Sequence, residues 1–279
     1  MFVKYLSRYA VLVNLLILPA AYAASEQAQS NNSNANQPTF AASVYFGDQA
    51  AKWRLQAEGP VRLSAAVTSA LQQVSPPLST LAVDWQRARL HKLSTSAHPL
   101  TETEFTLWQA VEQQVADNQR YAWRSLYEQL QQQEFAERAW VNLDPDFTRV
   151  VEGNNPLLSG DYVLYLPSLE ANGSVMVWGA VSHPGTLAWQ ATISAKQYAQ
   201  QARWLNSRLS HVSVIQPNGE VEQHPVGYWL AHSFSVQPGS IIYVPFTSAS
   251  FAATTTAQLD ELNQWVIETL RHRLPTNTF

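Results

Sequence analysis

Asp144 and Asp146 stand on either side of Pro145 and form the carboxylate pair that could serve glycoside hydrolysis. That chemistry needs two carboxylates facing each other across a cleft, ~5–9 Å apart. The run Leu143-Asp144-Pro145-Asp146 reads instead as a turn, in which aspartate bonds its neighbouring backbone. His224 and His232 flank Tyr228-Trp229, and His91 and His98 flank a loop. A metal or sugar site built on such a pair needs further ligands and supporting groups that these spacings do not supply, so they read as turn-adjacent surface histidines. The sequence holds no G-x-S-x-G, H-E-x-x-H, P-loop or G-x-G-x-x-G run. Cysteine is absent, which excludes disulfides, thiolate metal ligands and cysteine nucleophiles. The expectation is a chain with no catalytic residue, no metal and no cofactor.

The ten tryptophans offer different chemistry, since an indole can stack on a sugar ring. Trp108 and Trp123 fall on the apolar faces of a helical stretch and read as core. Trp178 alternates with Val175, Val177 and Val181 along a strand. If the valines face inward, Trp178 is exposed or covered by another element, and it is the candidate contact residue.

The elements that must hold these residues follow from punctuation and periodicity. Residues 43–47 read as a strand ending in a turn, residues 60–63 as a second short strand, and Ser64 as the cap of a helix closed by Pro76-Pro77. From Thr101 the pattern is helical: Thr101 and Glu104 form a capping box, and Phe105, Trp108, Val111, Val115, Ala122, Leu126 and Leu130 recur at helical steps. Residues 83–93 fit a helix or a strand equally. The stretch around 80–138 is therefore read as a helical insertion in a first unit spanning 40–170.

A second unit spans 171–250. Its strand at 175–181 returns through His183-Pro184-Gly185-Thr186. Ser194 and Gln197 cap a helix carrying Ala195, Tyr198, Ala202, Leu205 and Leu209. Pro217-Asn218-Gly219 joins two further strands, and Pro238-Gly239 precedes the last. Gly185, Gly219 and Gly239 are structural turn residues in this reading. Residues 256–274 form an amphipathic helix with the stripe Leu259, Leu262, Val266 and Leu270, and Arg271, His272 and Arg273 sit at its C-terminal end, as the helix dipole prefers. The order hairpin, helix, hairpin, strand implies an α+β fold of two β-grasp domains.

The chain has 279 residues, is 46% hydrophobic and only 14% charged, and carries a net charge of −4. No basic patch is visible, which argues against nucleic acid as a partner. Lys4 and Arg8 precede an apolar run at 10–18, and Ala21-Tyr22-Ala23 presents small residues where a signal peptidase cuts. The run is shorter than a bilayer span needs. The expectation is a signal peptide over 1–23, a disordered leader over 24–39 and a periplasmic protein.

Several stretches taken in order carry a resemblance. They are Pro156-Leu157-Leu158-Ser159-Gly160-Asp161-Tyr162, then Val177-Trp178-Gly179-Ala180-Val181-Ser182-His183-Pro184-Gly185, then Val214-Ile215-Gln216-Pro217-Asn218-Gly219, and last Pro238-Gly239-Ser240-Ile241-Ile242-Tyr243-Val244. Together they resemble the GfcC family of capsule-biosynthesis proteins. The resemblance implies two β-grasp domains similar to the SLBB-type repeats of outer-membrane polysaccharide export channels, a helical insertion and a C-terminal amphipathic helix. It implies a non-catalytic periplasmic accessory role in capsule or exopolysaccharide production, with the glycan or export components as partners. The alternatives are a polysaccharide-modifying enzyme, or a ring component that puts its C-terminal helix into a membrane, the one route to membrane contact.

Overall fold

A computed structural model describes residues 18–19, 40–47, 52–73, 83–93, 108–109, 112, 117–151, 153–169, 173–227, 234–247 and 256–275. Their fold is α+β, with two mixed sheets. The first unit runs Leu18–Pro19 (β1), Phe40–Phe46 (β2), Lys52–Ala57 (β3), Val61–Arg62 (β4), Leu63–Gln73 (α1), Arg89–Lys92 (β5), Asp117–Gln131 (α2), Glu137–Ala139 (β6), Pro145–Val150 (α3), Leu157–Leu158 (β7) and Gly160–Leu166 (β8). The second runs Ser174–Gly179 (β9), Gly185–Ala188 (β10), Ala195–Gln201 (α4), His211–Ile215 (β11), Val221–Pro225 (β12), Ile241–Val244 (β13) and Thr256–Arg271 (α5).

The sheet orders are β1-β3-β2-β8-β5-β6 and β10-β9-β13-β11-β12. Apart from β1, the two sheets share one plan. A hairpin leads into a helix, a second antiparallel pair follows, and the last strand slots between the pairs, parallel to the first strand. In the second unit the second pair is joined by the Pro217-Asn218-Gly219 turn. In the first unit the helical insertion takes the place of that turn, between β5 and β6.

Five local expectations are revised. The insertion begins after β5 rather than near residue 80, because Arg89–Lys92 pairs with both β8 and β6. The hairpin partner of β2 is β3, not residues 60–63, which pair with β7. Ser64 lies inside α1, and its backbone N–H donates to Asn155 Oδ1, so a distant loop supplies the cap. The 143–146 run starts a helix: Asp144 is the N-cap of α3, accepts from the Asp146 N–H, and Pro145 sits in the first turn. Ser194 and Gln197 do form a capping box, but α4 ends at Gln201. Thr101, Glu104, Phe105, Val111 and Val115 lie outside the described residues. Leu18–Pro19, which pairs with the outer edge of β3, falls inside the segment read as a signal peptide.

The insertion packs on the other unit. Trp108, Ala122, Trp123, Leu126 and Leu130 share one core with the second sheet and α5. Trp108 stacks on Trp123 at 4.1 Å, and Trp123 meets Phe246 edge-on. The stripe Leu259, Leu262, Val266 and Leu270 is buried in the same core, while Asp260, Glu261, Gln264 and Glu268 are exposed. Asn263 fastens α5 to the end of β13. Its Oδ1 accepts from the Tyr243 hydroxyl at 2.8 Å and from the Phe246 N–H, and its Nδ2 donates to the Phe246 carbonyl. Among the described residues, no helix is long and apolar enough to cross a membrane.

Trp178 is consequently not a surface contact. It registers with Tyr243 across the parallel β9–β13 pair, so the two share a face, and α5 and α2 cover that face. Trp178 is 4% exposed. Strand alternation placed it opposite the valines, and an element from the other unit buried it.

Candidate functional site

A cleft of 570 Å³ opens between the two units, within the ~300–1,000 Å³ of ordinary ligand sites. One wall is β5, β6 and the loop 140–144; the other is the Asn218-Gly219-Glu220 turn and the end of α5. Trp85, Leu90, Val141 and Leu143 supply apolar lining, and Arg89, Arg138 and Arg271 supply positive charge.

Trp140 organises the site. It follows β6 and is 46% exposed. The Arg138 guanidinium lies over its ring at 4.8 Å and that of Arg271 at 4.4 Å. The ring rests on Gly219, where a β-carbon would come within 1.8 Å of it. Gly219 has φ +90°, so the turn needs glycine for its backbone as well as for this contact. Gly185 (φ +151°) and Gly239 (φ +88°) lie away from the cleft lining.

Arg138 is held by neutral atoms, and Arg271 by a carbonyl and a carboxylate. Arg138 donates from Nη2 to the Pro217 carbonyl, and Arg271 from Nε to the Gly219 carbonyl at 3.0 Å. Arg271 also pairs with Glu268 at 2.6 Å. Among the described residues, neither Arg89 nor Arg138 has a carboxylate within ion-pair distance, and the Arg89 Nε is buried with no hydrogen-bond partner. Burial, then the nearby Arg89 and Arg271, brings the Arg138 guanidinium down to about 9. Burial, then Arg89, brings Arg273 down to about 10. Burial also lowers Arg89. Arg89 and Arg138 therefore carry a desolvation cost that no carboxylate among the described residues offsets, and the guanidiniums repel one another.

His91 lies behind them on β5, fully buried. Burial first, then Arg89, Arg138 and His272, pushes its imidazole down to about 3. The folded state keeps His91 neutral while an unfolded chain protonates it near 6.5. The unfolded state thus binds more protons between those values, and stability falls as pH drops from 6.5 toward 3. The expected slope from this one group approaches about 1.4 kcal/mol per pH unit. Urea unfolding of the parent and of His91→Gln between pH 7 and 5 checks it. The variant should show the shallower pH dependence, and equal slopes would mean that His91 is hydrated in the fold.

The other candidates from the sequence separate. Asp144 lines the cleft, with its carboxylate engaged as a helix cap, and Asp146 is exposed outside the lining. His224 is buried rather than on the surface, 2.7 Å from Glu222. His98, His232 and Tyr228-Trp229 lie outside the described residues. No group of three or more His, Asp or Glu among the described residues is placed to hold a metal. The residues that build the cleft were missed: Arg89, Arg138, Trp140 and Arg271 share no local motif. A basic cluster exists in space although none exists in the sequence. The one local signal was the alternation in Arg138-Ala139-Trp140, which puts a cation and an indole on one face of a strand.

The model for "Capsule biosynthesis GfcC, N-terminal" matches residues 40–168, and that for "Capsule biosynthesis GfcC C-terminal" matches residues 183–275. The chain belongs to the GfcC family. The uncharacterized protein YjbG of Escherichia coli (strain K12) is 32% identical over 152 residues, which spans 54% of this chain and 60% of YjbG. The N-terminal GfcC segment carries Arg89, Arg138 and Trp140; the C-terminal GfcC segment carries Gly219 and Arg271. The cleft is thus framed by both halves of the family architecture, and the family ties the chain to capsule biosynthesis.

Proposed function

We propose that this GfcC-family chain is a non-catalytic periplasmic accessory protein of capsule or exopolysaccharide production, and that it works by holding glycan in the cleft. The observation that carries the reading is the cleft itself, framed by both family segments and lined by indole, guanidinium and amide groups. Each half is read as a β-grasp domain akin to the SLBB-type repeats of outer-membrane polysaccharide export channels, and the strand order common to the two sheets supports that. Lys4, Arg8 and Ala21-Tyr22-Ala23 support export.

A binder is favoured over an enzyme by how the lining carboxylates are used. Asp144 caps α3, and Glu220 is exposed at the rim. The test is incubation of the purified chain with the surface polysaccharide of its own host. The chain should be retained on the polymer without releasing new reducing ends or substituents. Release of either would make it an enzyme.

A further inference from the structure

We propose that the cleft takes an acidic saccharide, with its anionic substituent held by Arg138, Arg271 and Arg89 beside Trp140. This rests on the reading of the cleft as a glycan site and names the class of glycan.

Structural arginines in a protein interior are ordinarily matched by carboxylates, because a lone buried charge is expensive. Here Arg138 is 7% exposed and is held by a carbonyl and an indole face, neither of which cancels its charge. Arg271 is fixed the same way on its cleft side, by the Gly219 carbonyl and the opposing contact with Trp140. Arg89 contributes a buried Nε–H that has no acceptor. Arg138 and Arg89 are therefore positioned in advance with no carboxylate beside them among the described residues, and Arg271, which also pairs with Glu268, adds a third guanidinium; an arriving anion completes this arrangement.

The rest of the cleft suits hydroxyls and a ring. Gln86, Asn142 and Asn218 offer amides, while Asp144 and Glu220 offer acceptors for sugar hydroxyls. Trp85 and Leu90 supply apolar lining for a pyranose face. These two carboxylates also limit the positive field. With a net charge of −4 overall, the chain does not attract extended polyanions at long range, and an isolated acidic unit at close quarters is the better fit.

Calorimetric titration of the purified chain tests the proposal, with trigalacturonate, maltotriose and inorganic phosphate as probes. Trigalacturonate should bind in preference to both others. Arg271→Gln and Arg89→Gln should each weaken it on the order of tenfold or more, with only a small fall in the melting midpoint for Arg271→Gln, whose side chain is partly exposed. Glu220→Gln, which removes a rim charge, should bind it slightly more tightly, a change that a merely structural role would not produce. Absence of trigalacturonate binding, phosphate binding as tight as the trimer, or Arg271→Gln binding like the parent would each overturn the assignment. Equal binding of maltotriose would overturn it too, while leaving the cleft a glycan site. Failure of that broader reading registers separately, as loss of retention on the host polymer.

Discussion

Gly219→Val should lower the melting midpoint by roughly 10 °C and open the wall of the cleft. Two costs act together. The backbone at φ +90° is strained for a residue with a β-carbon, at about 1–2 kcal/mol. The side chain must also occupy space already filled by the Trp140 ring, and overpacking of that kind costs about 1–3 kcal/mol. Relief requires moving the turn or expelling the indole. Either movement breaks the bond from Arg271 to the Gly219 carbonyl and removes the surface on which both arginines rest. Gly185→Val is the control. No heavy atom lies within 4 Å of a β-carbon there, so only the backbone cost applies and the loss should be smaller. If Gly219→Val melts like the parent, Trp140 does not rest on the turn.

Truncation after Thr255 is expected to abolish cooperative folding. It removes Leu259, Leu262, Val266, Ile267 and Leu270, all buried, each contributing roughly 1.5–3 kcal/mol. The total is comparable with the whole stability of a typical domain, about 5–15 kcal/mol. It also leaves the Tyr243 hydroxyl and the Phe246 backbone without Asn263 and uncovers Trp108, Trp123 and Trp178. The intact chain should stay in solution without detergent, and the truncated one should bind a hydrophobic dye and melt without a transition. An unchanged melt of the truncated chain, with liposome binding by the intact chain alone, would make α5 a membrane element.

The second unit was legible because its signals are local. Pro184-Gly185 and Pro217-Asn218-Gly219 mark turns by backbone chemistry, Ser194 and Gln197 satisfy each other within one helical turn, and the 259–270 stripe repeats at helical steps. β3 was equally legible, since Lys-Trp-Arg-Leu-Gln-Ala alternates and buries Leu55 and Ala57 while exposing Arg54. It was passed over because no turn dipeptide announces it.

The cleft was not legible. Each of its parts has a sufficient local explanation: Arg271 suits a helix C-terminus, Asp144 suits a cap and Gly219 suits a hairpin. Their convergence comes from the packing of one unit on the other, which leaves no period in the chain. Trp178 was hidden for the same reason, since one of the two helices that cover its face belongs to the insertion. Asn155 capping α1 is a third case, a bond between residues far apart in sequence.

The cleft is proposed to hold glycan without altering it. The most direct measurement is retention of the intact chain on host polysaccharide beside that of Arg271→Gln, with reducing ends assayed in the same samples. The parent should be strongly retained, Arg271→Gln should lose most of that retention, and neither should give new reducing ends. Equal retention of the two proteins, or reducing ends that rise with time in the parent, would contradict the proposal.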